Sequence, residues 1–195
     1  MPRKASGQAQ RARIVAATAR LIAAKGPQAM SMREIAGEAG CTIGLINHWF
    51  DSKDQLIEAV LDQAAADASA RCRTALEHAD VTLEQILAEF LPLDEQRQRE
   101  LTTWYVFWAL SIGKPNLQAV YRTRMKALRD DLTTNLATNG VPESELAEYV
   151  DAVMAAVDGI AISSLAEPQH WTRARQRRTL SRLLAAVPMS EPIQR

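Results

Sequence analysis

The sequence predicts an all-α protein in which a small N-terminal helix-turn-helix head of three helices precedes a larger helical body, with about nine helices in all. Three observations predict it. Apolar residues recur at helical spacing along the long segments, and no segment alternates in the β-branched manner of a sheet strand. Capping boxes, in which a side chain and a backbone N–H three residues apart satisfy each other, stand at Ser31-x-x-Glu34, Ser52-x-x-Gln55 and Thr82-x-x-Gln85.

The chain is 47% hydrophobic and 24% charged over 195 residues, the balance of a globular protein. No apolar run approaches the roughly 18 residues that a membrane span needs, and no membrane association is expected. The opening Met1 to Gln8 is polar and lacks the apolar centre of a secretory signal, so a cytoplasmic protein is expected. Cys41 and Cys72 are too few for a disulfide framework and have no metal-ligand spacing. The net charge of zero conceals two halves of opposite sign. Residues 1–53 hold eight Lys/Arg against three Asp/Glu, whereas residues 54–195 hold fifteen against twenty. A basic N-terminal block on an acidic body is the pattern of a nucleic-acid-binding head; the alternative is a solvated basic surface.

Arg3 and Lys4 lie in a Gly/Ser/Gln-containing arm expected to be mobile. A helix follows over Arg11 to Lys25, with Ile14, Val15, Leu21 and Ile22 inside, stopped by Gly26-Pro27. The Ser31 box opens a second helix carrying Ile35, Ala36 and Ala39, which stops at Gly40. A third starts almost at once after Thr42. The short break at Gly40-Cys41-Thr42 makes a helix-turn-helix, with Gly40 supplying the positive φ of a sharp turn. The third helix turns Ile43, Gly44, Asn47 and His48 outward and Leu45 and Ile46 inward, then ends at Trp49-Phe50.

Ser52 opens a long connecting helix that weakens into alanine-rich sequence toward Glu77. Thr82 opens a helix running to Leu91 and closed by Pro92, and Leu93 to Arg99 reads as a loop. Glu100 to Ile112 is the most aromatic segment, with Trp104, Tyr105, Phe107 and Trp108, four of the ten aromatic residues. Pro115 suits the first turn of a helix running to Asn139-Gly140, Pro142 starts another that ends before Pro168, and Thr172 caps a last helix ending near Val187 and Pro188. The charge boundary divides the chain into a head at 1–53 and a body at 54–195.

From Arg11 to Leu61 the residues resemble the TetR family of bacterial one-component repressors. The likeness lies in a helix and Gly26, Ser31-Met32-Arg33-Glu34-Ile35-Ala36, Ala39-Gly40, and Thr42-Ile43-Gly44-Leu45-Ile46-x-His48-Trp49-Phe50-x-x-Lys53-x-x-Leu56. Within that family, the run from Gly44 to Phe50, the later Trp104-x-x-Phe107-Trp108 and Asp158-Gly159 look like the BetI-type, choline-responsive repressors. The chain departs from the pattern at Trp49, where the family usually has tyrosine, so an indole N–H, a donor only, stands in place of a phenol.

The resemblance implies a homodimer reading a palindromic double-stranded operator, contacting itself through the last two helices and responding to a small molecule bound in the body. On this reading Thr42 meets a phosphate or a base edge, Ile43 and Gly44 permit close approach to the groove, and Asn47 and His48 contact bases or backbone. Trp49 and Lys53 contact phosphate, Ser31 and Arg33 lie where a helix crosses the backbone, and Arg11 reaches a flanking phosphate. The duller alternatives are core packing for Trp49, a simple cap for Ser31 and a small buried hydrophobe for Cys41. Phe50 is expected in the core.

In the body, Glu100, Trp104, Phe107, Trp108 and Ser111 share a helical face. Aromatic faces attract quaternary ammonium groups, and a carboxylate at Glu100 or Asp158 would balance the charge. Tyr121 is a further pocket candidate. Asp151, Met154, Asp158 and Ile162 share a face expected to be largely buried. The alternative is that the aromatics are core and that Asp158 is a structural acceptor before Gly159. Choline or another cation is one effector class and an apolar, drug-like molecule another; a helical scaffold without a DNA role is the remaining reading. No Gly-rich phosphate loop, nucleophile elbow or metal cluster among His48, His78 and His170 is present in the sequence, so no catalytic residue, metal or cofactor is expected.

Overall fold

Helix formation begins at Pro2, which corrects the expectation of a mobile arm before Arg11: α1 spans Pro2–Lys25. Proline is tolerated in a first turn, where its missing N–H is not needed, and the Ala, Gln and Arg that follow are strong helix formers. The computed structural model describes residues 2–26, 30–77, 82–138 and 140–185, with side chains from Gly7 onward except that of Leu76. The side chains of Arg3 and Lys4, together with Pro27, His78, Asn139, Val187 and Pro188, lie outside the described residues.

Nine helices and no strand occur among the described residues. After α1 come α2 (Met32–Ala39), α3 (Ile43–Trp49), α4 (Lys53–Leu76), α5 (Leu83–Ala88), α6 (Glu95–Ser111), α7 (Pro115–Thr138), α8 (Leu146–Ala166) and α9 (Arg173–Ala185). They form two units. The first comprises Met1–Asp67 with Thr102–Tyr121, and the second Ala68–Leu101 with Arg122–Arg195, so α4, α6 and α7 each contribute residues to both.

In the first unit, Ile14, Ile22, Ile35, Ile46, Phe50, Leu56, Val60 and Leu61 form a core of side chains no more than 2% exposed. Phe107 and Leu117 belong to the same core, and Trp104 and Tyr121 pack against it. Two exposed ion pairs, Arg20–Glu38 at 2.7 Å and Lys25–Glu34 at 3.0 Å, link α1 to α2. A third, Lys114–Asp54 at 3.0 Å, ties the start of α7 to the start of α4.

In the second unit α6 starts at Glu95, earlier than expected. The segment from Leu93 to Arg99, read as a loop, contains its own cap: Asp94 Oδ1 accepts from the Arg97 backbone N–H at 2.9 Å, and Oδ2 from Arg97 Nε at 2.7 Å. These bonds hold the Asp94 carboxyl below its ordinary value although burial pushes the other way. The helix expected to reach Leu91 ends at Ala88, where Glu89, Phe90 and Leu91 turn with bonds to Ile86, Leu87 and Ala88. Pro142 opens a turn closed by Glu145 N–H to Pro142 O at 2.9 Å, which delays α8 to Leu146.

Helix α8 is interrupted by Glu148, Asp151 and Asp158. By length and composition alone it is still apolar enough to cross a membrane, with a mean hydropathy of 1.4 over an 18-residue window, a test that a packed core helix also passes. Its inward face is Tyr149, Val150, Val153, Val157, Ile160, Ala161 and Ser164. The Asp151, Met154, Asp158 and Ile162 face is therefore the outer one: both aspartates and Ile162 are exposed and Met154 is half-buried.

Candidate nucleic-acid interface

Helix α3 is too short to persist alone, and its surroundings show how it is held. Thr42, in extended conformation, accepts the Leu45 N–H on its hydroxyl at 3.2 Å. At the other end the Phe50 N–H reaches Ile46 O at 2.9 Å. Ile46 is fully buried, Phe50 is 2% exposed, and Leu45 is half-buried. That leaves Thr42, Ile43, Gly44, Asn47 and His48 exposed in one row, the arrangement expected for them. Ile43, at 39% exposed, is a large apolar group at the surface of a polar row.

The preceding helix is fixed at both ends. Ser31 Oγ accepts from the Glu34 N–H at 3.2 Å while Glu34 Oε2 accepts from the Ser31 N–H at 2.9 Å, so Ser31 is a cap whose hydroxyl is already engaged. The Ser31 backbone bond and then the Lys25 ammonium hold the Glu34 carboxyl at about 2, against 4.5 ordinarily. Gly40 closes α2 at φ 61°, where a side chain would be strained. Arg13 crosses this turn and donates from Nη2 to Ala39 O at 2.9 Å. The role of Arg13 was missed by the sequence reading, since nothing local marks a bond between residues 26 apart.

The flanking positions divide. Arg33 is exposed at the start of α2. The Arg11 guanidinium lies 5.1 Å from the centre of the Phe50 ring, a cation-π seat that leaves this exposed side chain beside α3. Lys53 donates from Nζ to Met30 O at 2.6 Å. Trp49 differs from the others. It is half-buried, its Nε1 is buried without a hydrogen-bond partner, and its ring meets His48 edge to face at 5.2 Å. Cys41 is half-buried and packs against the core.

The body residues fall in both units. In the first, Phe107 is fully buried, Trp104 is half-buried and meets Tyr121 edge to face at 6.3 Å, and Trp108 is 45% exposed. Ser111 is buried and donates to Trp108 O at 2.7 Å. In the second, Glu100 is clasped by Arg71, which also bonds Glu89, and Gln96 Nε2 donates to Glu100 Oε1 at 3.0 Å. Burial works against the Arg71 charge, but the two carboxylates more than offset it and raise its pKa. Asp158 is exposed.

Residues 79–188 match a family described as "BetI-type transcriptional repressor, C-terminal", and residues 14–60 match "Bacterial regulatory proteins, tetR family". The chain is 24% identical over 192 residues to the HTH-type transcriptional regulator PksA of Bacillus subtilis (strain 168), covering 96% of this chain and 94% of that protein. It is 26% identical over 164 residues to the HTH-type transcriptional regulator BetI of Burkholderia mallei (strain NCTC 10229), covering 82% and 84%. A crystal structure of a putative transcriptional regulator from Saccharomonospora viridis in complex with choline shares the fold, with a TM-score of 0.78 at 21% identity over 95% of this chain and 98% of that one.

Proposed function

Because the chain belongs to the TetR family of bacterial regulatory proteins, with a C-terminal part of the BetI type, we propose that it is a homodimeric repressor of the cytoplasm that a small molecule releases from a palindromic operator. The observation that carries this reading is the exposed row of Thr42, Ile43, Gly44, Asn47 and His48 on a helix capped at one end and anchored by Ile46 and Phe50. One such helix touches only a few base pairs. Two related by a two-fold axis, about 34–36 Å apart, give the specificity that a single head lacks.

The outer faces of α8 and α9 support self-association. That of α8 carries Glu148, Asp151 and Asp158 between small residues and Ile162, with Asp151 also meeting Arg129 of α7 at 3.3 Å. That of α9 carries Arg173, Arg175, Arg177, Arg178 and Arg182 with Leu183, without an acidic one. Opposite charges on two helices of one chain suit a symmetric pairing in which α9 of each copy meets α8 of the other.

For the effector, a quaternary ammonium compound such as choline is the first candidate, supported by the BetI relatives and the choline complex of the Saccharomonospora protein. Trp104, Tyr121 and Trp108 are the aromatic groups proposed to meet it. The second candidate, an apolar molecule, is favoured by the pairing of Glu100 with Arg71, which commits the nearest sequence neighbour among the carboxylates to an internal partner. In either case the effector releases DNA only to the extent that it prefers the conformation that does not bind. A palindromic duplex enriched by the protein from a randomised pool, then challenged with choline, other small cations and lipophilic compounds, tests both parts. Absence of any enriched duplex overturns the DNA reading, and release by lipophilic compounds alone selects the second effector class.

A further inference from the structure

The indole of Trp49 is an anomaly in an otherwise well-satisfied head. Buried donors normally find an acceptor, and an indole N–H placed to contact phosphate must face solvent. That of Trp49 is buried without a partner. A close neighbour of the ring lies 42 positions earlier in the chain: a Cβ at Gly7 would lie 3.3 Å from both Cζ2 and Cη2 of the Trp49 ring. At Gly7, then, the backbone of α1 meets the indole with no side chain between them. The ring also packs against the core to which Ile46 and Phe50 belong.

We propose that Trp49 is a positioning residue rather than a phosphate donor: its ring is the bearing through which the N-terminal turns of α1 set the angle and depth of α3, and Gly7 is bare so that helix and ring can meet. This rests on the reading that α3 enters DNA. It assigns the N-terminal turns of α1 a part in sequence discrimination without any contact to a base. A methyl group at Gly7 asks the ring to give by only a few tenths of an ångström, so a longer side chain such as Leu is needed to push the ring and α3 with it.

The test uses the full chain, a palindromic duplex enriched by the wild type from a randomised pool, and a scrambled duplex. An indole N–H on phosphate would add a hydrogen bond that carries no sequence information, so its loss would weaken the enriched and the scrambled duplex alike. Trp49→Phe is expected instead to leave the scrambled affinity unchanged and to weaken the enriched duplex alone. Gly7→Leu is expected to cut the ratio of enriched to scrambled affinity by about tenfold, while the scrambled affinity, the salt slope (log affinity against log salt) and the thermal midpoint hold. In wild-type protein, the indole N–H signal that Trp49→Phe deletes is expected to exchange slowly with heavy water and to keep its shift when duplex is added. Equal weakening of both duplexes in Trp49→Phe, full discrimination in Gly7→Leu, or rapid exchange of that N–H would each overturn the proposal. If the wild type enriches no duplex, the DNA reading itself fails, an outcome separate from these.

Discussion

Arg71 holds Glu100 by two parallel hydrogen bonds, Nη1 to Oε1 at 2.9 Å and Nη2 to Oε2 at 2.7 Å, across 29 residues of sequence. Glu100 is only 11% exposed in its side chain and Arg71 24%, so both charges depend on each other. Glu100→Gln is expected to destabilise the protein by about 2 kcal/mol in denaturant unfolding, the scale of losing charged hydrogen bonds. Effector release is expected to be unchanged in the same variant. Loss of release at full stability would return Glu100 to the effector site.

Acid should act on the head through Glu34. Its folded-state carboxyl sits at about 2 against 4.5 unperturbed, so the charged form is favoured by folding. Its contribution is present above 4.5 and is lost as pH falls through about 2. Glu34→Gln should therefore remove part of the decline in stability between pH 4.5 and 2, measured by circular dichroism at fixed temperature.

Self-association should depend on charge sign. Arg178→Glu, or Asp158→Arg, is expected to weaken the dimer by about tenfold or more in analytical ultracentrifugation. The two reversals combined should restore part of that loss, and added salt should weaken the wild type. A dimer indifferent to all three would be held by the apolar groups alone.

Two head residues should separate affinity from selectivity. Lys53→Ala is expected to weaken every duplex alike and to lower the salt slope by about 0.9, the value for one contact. Asn47→Ala should cost about 1–3 kcal/mol on one base pair of the enriched duplex and little on the scrambled one. Equal loss of selectivity from both substitutions would refute the division.

Cysteine reactivity gives a further check. Burial, and then the Glu89 charge, push the Cys72 thiol up to about 11, so little thiolate is present at pH 8. A Cys41→Ser protein is expected to react with a disulfide reagent far more slowly than free cysteine does.

What could be read from sequence was local. The Ser31 box, the Gly40 turn and the Thr42 cap are each complete within a few residues, and the structure contains all three. Pro115 likewise opens α7. What escaped depended on distance or on a choice between faces. Asp94 bonding Arg97 is short-range, but it sits two residues after Pro92 in a charged stretch without apolar periodicity, so nothing marked a helix. On α8 two stripes have equally good spacing, and only packing shows that Val150, Val153 and Val157 go inward while Asp151 and Asp158 go outward. Arg13 on Ala39, Arg71 on Glu100 and Gly7 against Trp49 join residues far apart, and none leaves a trace in neighbouring positions.

The core of the first unit draws Phe107 and Leu117 from the far side of a long stretch of chain. A fragment cut after Lys53 or even after Asp67 would therefore leave an apolar hole where those two side chains belong, and would be prone to aggregate. An exchange of the first unit between two such proteins is therefore expected to succeed only if residues 102–121 travel with residues 1–67.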